Sequence, residues 1–304
     1  MIDLALHVVL LVVAPPLMLG VINRVKAIAA GRRGPPLLQP YFDIWRLLRK
    51  GAVYSTTSTW MLPAGPIVAL AAILTAGLVL PLGSSTAPLG FEGDVVLFAY
   101  LLGLSRFATM AAALDTGSAF EGMGASREGT FGALAEPALF LALAILCLPG
   151  RALSFEEVLT ALPWSSWGAS HPELAVVAAV LVVVLVTECS RIPVDDPNTH
   201  LELTMIHEVM VLDHSGPDFA FVQLGAATKL FVIGALLTHV VLPIHGGLPG
   251  AATLLAGELG VAVLVGVLES TMARLRLVRV PQFLIGATVL AAIGAAVVIY
   301  RGPS

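Results

Sequence analysis

Residues 174–218 read LAVVAAVLVVVLVTECSRIPVDDPNTHLELTMIHEVMVLDHSGPD, an apolar run that breaks at Glu188 into a strongly acidic stretch. The first part, 174–188, is short for a hydrocarbon core about 30 Å thick but carries no charge before its last residue. From Glu188 to Asp218 the chain places seven of its 20 carboxylates: Glu188, Asp195, Asp196, Glu202, Glu208, Asp213 and Asp218. The one Lys or Arg among them is Arg191, so local pairing cannot neutralise the acids. Apolar runs flank the segment on both sides. Its acids therefore stand at a membrane boundary, where ionisable groups are costly and are functional candidates by default.

Outward from this segment, apolar runs long enough to cross a bilayer recur eight times, near 2–22, 62–82, 95–114, 131–148, 174–188, 219–242, 251–269 and 280–300. With 58% hydrophobic residues, 12% charged and a mean hydropathy of +0.93, the 304 residues are far more apolar than a soluble domain, in which about 25% of residues are charged. The expected fold is an all-α polytopic membrane protein, residues 1–304 forming one integral domain. Pro15 and Pro16 predict a kink in the first span that neighbouring groups must compensate. The N-terminal run lacks a basic leader and a small-residue cleavage site and reads as a retained span. The net charge of −4 names no partner, and nothing points to nucleic acid. Cys147 and Cys189 stand far apart, outside any paired spacing for a disulfide or a metal cluster.

Orientation follows from the bases. Of 16 Lys and Arg, twelve fall in loops on the side of the acidic segment: Arg24, Lys26, Arg32, Arg33, Arg46, Arg49, Lys50, Arg127, Arg191, Arg274, Arg276 and Arg279. Arg151 and Arg301 fall on the other side, and Arg106 and Lys229 lie within spans. Positive residues gather on the cytoplasmic face, so the acidic segment is expected there and both termini outside.

Two loops on that face have patterns of their own. In GRRGPPLLQPYFDIWRLLRKG, residues Leu37, Leu38, Tyr41, Ile44, Trp45 and Leu48 repeat at helical spacing beside Arg46, Arg49 and Lys50. This reads as an amphipathic helix on the inner leaflet or a docking surface for a partner. The stretch LDTGSAFEGMGASREG, rich in small residues, reads as a loop that packs against backbone, with Arg127 and Glu128 as its anchors.

Within the acidic segment several motifs fail. His207 and Glu208 open like a His-Glu-x-x-His zinc helix, but position 211 is valine. His200, His207 and His214 recur every seven residues, which on one helix separates neighbours by about 10.5 Å. That suits a polar stripe or proton relay better than one metal ion. Pro193 and Pro197 bracket Asp195 and Asp196, which reads equally as a rigid turn capping a helix and as part of an ion path. Charges also enter the spans: Arg106 and Lys229 near mid-span, Asp115 and Glu136 nearer the basic face, Glu258 and Glu269 in the seventh run. Each demands polar company; a Lys229–Glu258 pair is one solution, and a graded ion path is another.

The segments GRRGPPLLQPYFDIWRLLRK, LDTGSAFEGMGASRE, ECSRIPVDDPNTHLELTMIHEVMVLDHSGPD and ESTMARLRLVRVPQFL together resemble, end to end, the membrane subunit 1 family of respiratory complex I, the NADH-quinone oxidoreductase. Within it the chain is most similar to the anchor subunit of formate hydrogenlyase and hydrogenase-4 type NiFe complexes. Three departures separate it from the quinone-linked type. Gly34-Pro35-Pro36 runs directly into Leu37-Leu38-Gln39-Pro40; Asn198 and His200 replace two family glutamates while Asp195 and Glu202 remain; and three more residues separate Glu202 from Ser215-Gly216, with Lys229 in the sixth span. These argue against a quinone chamber without excluding one.

The resemblance implies a non-catalytic coupling subunit without a cofactor or metal of its own. It would contact hydrogenase-like large and small subunits and an iron–sulfur protein, which hold the Fe–S clusters and NiFe centre, and antiporter-like subunits laterally. Candidate relay residues are Glu188, Asp195, Asp196, Glu202, Glu208, Asp213, Asp115, Glu136, Arg106, Lys229 and Glu258. Arg33, Gln39, Asp43, Arg46, Arg127, Glu128 and Arg191 are expected to anchor loops or partners. The alternatives are a quinone-reducing NADH dehydrogenase subunit and a stand-alone proton or cation transporter. The inner membrane of a bacterium or archaeon is the expected location.

Overall fold

A computed structural model of the chain describes residues 2–83, 86–162, 171–196, 205–244 and 246–301. Its helices are α1 (Ile2–Ala29), α2 (Gln39–Leu48), α3 (Met61–Val79), α4 (Asp94–Asp115), α5 (Ala119–Cys147), α6 (Phe155–Thr160), α7 (Pro172–Glu188), α8 (His207–Met210), α9 (Gly216–Val241), α10 (Leu248–Thr271) and α11 (Val280–Arg301). No strand occurs among the described residues. Seven helices are long and apolar enough to span a bilayer. The eighth apolar helix, α7, has 17 residues and reaches only about 25 Å. The chain is a polytopic all-α membrane protein.

α9 forms the centre of the bundle, with every residue from Ala227 to Val240 buried. It packs against α1, α3, α7 and α10, while α4 pairs with α3 and α5, and α11 closes against α5 and α7. Small residues permit the closest approach. At Gly65 of α3 a methyl group would stand 2.5 Å from the Ala112 side chain and 2.9 Å from the Ala108 carbonyl of α4, the small-residue packing that draws membrane helices together where water offers no driving force.

Two expectations need correction. α5 begins at Ala119, so most of the glycine-rich stretch expected as a loop is helical. The cause is tertiary. At Gly124 a methyl group would lie 2.4 Å from Val209 and 3.0 Å from the Ile206 carbonyl, so the small residues let α5 dock on α8, and that contact outweighs their poor helix propensity. Likewise His207 and His214 do not share a helical stripe. α8 holds only His207–Met210, His214 is in the loop after it, and His200 lies outside the described residues.

α1 continues through Pro15 and Pro16, and the Tyr41 hydroxyl of α2 donates to the Val13 carbonyl beside them. α2 itself buries none of its residues completely; Phe42, Trp45 and Leu48 are exposed, and Arg49 stacks 4.6 Å from the Trp45 ring. The Gly65→Leu variant is expected to lose about 1–3 kcal/mol by overpacking the α3–α4 seam, read as an earlier thermal unfolding transition in detergent; an unchanged transition would show that the seam yields.

Candidate functional site

α7 stops short because its last residue belongs inside the bundle. Lys229 is thirteen residues beyond Gly216, about 20 Å along α9, and its ammonium reaches both the Glu188 carboxylate and the Glu188 backbone carbonyl at 3.3 Å. One cation thus meets the side chain and the exposed carbonyl end of α7, where the helix dipole favours positive charge. Arg106 of α4 donates from one side to Glu188 and from the other to Glu136 of α5 at 2.7 Å. Glu128 lies 4.0 Å from the same guanidinium. Glycine makes room for it: a methyl group at Gly132 would be 2.3 Å from Arg106 Nη1.

The result is one buried chain, Glu136–Arg106–Glu188–Lys229, with Glu128 alongside. Three carboxylates face two cations. Glu188, Arg106, Lys229 and Glu128 are buried, whereas the Glu136 side chain is 43% exposed, which makes it the cluster's outlet on the bundle surface. Two small cavities flank Glu188. One, about 40 Å³, is bordered by Ser105, Thr109, His207 and Lys229; the other, about 10 Å³, by Arg106, Glu128 and Thr187. The larger has room for water, which needs at least about 10–15 Å³ and polar partners. Neither approaches the roughly 300 Å³ of a small-molecule pocket.

Lys229 therefore pairs with Glu188, and the Lys229–Glu258 solution is not the one adopted. Glu258 is fully buried in α10, beside Gly234 and Thr238 of α9.

The remaining acids divide by what occupies them. Asp195, 1% exposed, pairs with Arg274 at 2.9 Å and accepts the Ile206 and His207 N–H groups at 3.0 and 3.1 Å, capping α8 from a distant turn. Asp115 caps α3, accepting the Thr59 N–H and hydroxyl at 2.7 Å and the Leu62 N–H at 3.2 Å. Asp196 and Glu208 are half-buried and Asp213 is exposed. Glu202 lies outside the described residues.

Of the expected anchors, Arg127 donates to the Met205 carbonyl at 2.7 Å and Arg191 pairs with Glu269 at 3.3 Å, both fastening the acidic segment to spans. Glu128, expected in a loop, is instead a helical member of the charge cluster. Asp43 gathers Gln39 and Arg46 within α2 at 2.9 Å each, and Arg33 lends its carbonyl to Arg24. Several partners escaped the sequence reading: Lys26 with Glu269 at 2.6 Å, Arg274 with Asp195, and buried Glu121, which accepts the Asp213 N–H at 3.1 Å. Only their charge inside or beside a span could have flagged them.

Outside the spans, burial pushes the His207 imidazole below its usual value against the opposing pull of Glu208. Burial also lowers His214, with Asp218 and Asp213 opposing, and neither ring nitrogen has a hydrogen-bond partner among the described residues. Asp218 beside the Tyr54 hydroxyl raises that phenol.

A polytopic membrane subunit with a buried ion-pair chain beneath an acidic loop is the class these features define. The NADH dehydrogenase family matches residues 2–300, and the chain belongs to it. Hydrogenase-4 component C of Escherichia coli (strain K12) is 32% identical over 278 residues, 88% of this chain and 85% of that protein. Formate hydrogenlyase subunit 4 of the same organism is 30% identical over 275 residues, 88% of each. The fold is similar to that of a chain in the membrane-bound sulfane sulfur reductase, an archaeal respiratory membrane complex, with a TM-score of 0.84 over 98% of this chain and 99% of that one at 23% identity.

Removing one partner from a buried ion pair typically costs about 3–5 kcal/mol. Arg106→Met leaves Glu188 to Lys229 alone and Glu136 to solvent and is expected to destabilise by up to that much, and the Arg106→Met, Glu188→Gln double variant is expected to lose less than the two single losses together; additive losses in a denaturation cycle would refute the coupling. A second expectation concerns pH. A folded-state value below the 6.5 of an ordinary histidine means that the unfolded chain takes up the proton first, so stability is full above about pH 6.5 and falls as pH drops. His214→Leu is expected to reduce that acid sensitivity in thermal scans between pH 7 and 5; an unaltered slope would remove His214 as its source.

Proposed function

We propose that this chain is the non-catalytic coupling and anchor subunit of a NiFe-hydrogenase-type, complex I-like membrane complex, in the inner membrane of a bacterium or archaeon. The reading rests above all on one observation: Glu188, the first acid of the acidic segment, is also the central carboxylate of a buried ion-pair chain that ends at half-exposed Glu136. Membership of the NADH dehydrogenase family and the similarity to subunits of hydrogenase-4 and formate hydrogenlyase support the same reading. The twelve bases on the acidic side support a cytoplasmic position for that side and outward termini.

On that side the half-buried Asp196 and Glu208 and the exposed Asp213, together with Glu202, receive the influence of the redox arm, composed of hydrogenase-like large and small subunits and an iron–sulfur protein. Those partners carry the Fe–S clusters and the NiFe centre, and this chain carries neither. A change in protonation among the loop acids alters how strongly Glu188 is shared between Arg106 and Lys229. With three carboxylates and two cations in the cluster, one acid is in excess, and a proton taken up there is handed toward Glu136 and a laterally packed antiporter-like subunit. The cavities beside Glu188 match waters in size, which supports a proton relay rather than a quinone chamber there. Asp195 and Asp115 act mainly as caps, and Glu258 stands apart from the chain of pairs.

The test uses the whole complex in vesicles, with a pH-sensitive dye beside a dye-reduction assay at the peripheral arm. Glu202→Gln and Glu136→Gln are each expected to leave assembly and artificial electron transfer intact while slowing ion movement by tenfold or more, roughly the lower range for loss of a proton-transfer group. Equal loss in both assays would mark a structural role, and a monodisperse single chain that moves ions alone would establish a transporter instead.

A further inference from the structure

The face opposite the acidic segment carries two of the chain's 16 bases, Arg151 and Arg301. Their situations differ. Arg301 pairs with Glu173 at 3.4 Å, whereas Arg151 is exposed and pairs with no carboxylate among the described residues. Arg151 stands on the rim of a groove of about 400 Å³ between the start of α4 and the end of α5. Every other lining residue is apolar, among them Val95, Phe140, Leu143, Ala144 and Leu148. From Phe140 to Leu148 the groove follows α5 for about 12 Å, running from the rim toward the middle of the bundle. Val96, Phe140, Leu148 and Leu153 remain exposed along it, so it opens on the outer surface of the protein.

The rim is a fixed structure. Asp94 of α4, 0% exposed, accepts the Phe155 N–H at 2.8 Å and the Phe91 N–H and Ser154 hydroxyl at 3.3 Å. The Leu153 carbonyl accepts the Gly93 and Val95 N–H groups at 3.2 and 3.3 Å. These bonds hold the loop after α5 against α4 and occupy the Asp94 carboxylate. Arg151 itself has a φ of 51°, a left-handed conformation uncommon for a residue with a side chain.

A guanidinium at the end of an apolar channel, at the level where a span ends, is complementary to a phosphate with a hydrocarbon tail. We infer that this groove binds an anionic phospholipid of the leaflet opposite the acidic segment, with one acyl chain along α5 and the headgroup phosphate on Arg151. The volume lies within the range of small-ligand sites. A transmembrane helix from a partner subunit would bury the same apolar wall, and crosslinking within the assembled complex distinguishes it from a lipid.

The experiment is native mass spectrometry of the full chain released from mild detergent with equal amounts of phosphatidylglycerol and phosphatidylcholine. The wild-type chain is expected to retain phosphatidylglycerol preferentially. Arg151→Gln should lower that preference about fivefold, the effect of one base at a lipid surface, while Arg151→Lys restores most of it and Arg301→Gln leaves it unchanged. Ala144→Phe, which fills the groove, should reduce retention of both lipids; if that variant does not fold, the lipid ratio of Arg151→Gln alone decides. Retention without preference, a preference indifferent to Arg151→Gln, or a photocrosslinker at position 140 that captures a protein subunit in the assembled complex would overturn the inference.

Discussion

A carboxylate at the end of a membrane helix, held between cations from two other helices, organises the acidic half of this protein. Glu188 could not be buried alone, because an unpaired charge in a low-dielectric interior is costly. Arg106 and Lys229 meet it, and in doing so they fix where α4, α7 and α9 stand relative to one another. Lys229 has a double function, since the free carbonyl of Glu188 at the α7 terminus is also its partner. Gly132 completes the arrangement by leaving space for the guanidinium of Arg106.

From that constraint follows the form of the segment beyond it. Because α7 ends within the bundle, the chain continues from Cys189 to Asp195 through largely buried surroundings and must satisfy its backbone there. Asp195 answers part of this demand by capping α8, and Arg274 balances its charge. Glu269 joins Lys26 of α1 to Arg191 of the segment, and Arg127 of α5 holds the Met205 carbonyl. The acidic segment is therefore tied to the spans by several charged contacts.

The two faces of the bundle use charge differently. On the acidic side, pairs extend from loops into spans and leave Glu136 half-exposed on the bundle surface. On the opposite side, Asp94 and Glu173 are absorbed in local contacts with backbone, hydroxyl, histidine and arginine groups. Arg151 stands apart from those contacts, above an apolar groove.

Composition and the lengths of its apolar runs were enough to determine an all-α polytopic membrane protein, because a span must be about twenty apolar residues whatever its neighbours; of the eight expected spans, seven have that length among the described residues and α7 does not. The helical pattern of α2, the special standing of Arg106, Lys229 and Glu188, and the resemblance to the NADH dehydrogenase family were equally legible in the residues themselves. Charge in an apolar run announces that a partner exists. It does not name the partner, since that depends on which helix faces lie together, and so Lys229 joined Glu188, forty-one residues away in sequence, and left Glu258 against Gly234. The early start of α5 was hidden for the same reason. Glycine and serine lower intrinsic helix propensity, yet the close approach they allow to Val209 and Ile206 exists only once α8 is in place. Asp195, which the sequence left open between a capping turn and an ion path, and Asp115, a relay candidate, both accept N–H groups from segments that folding alone brings beside them.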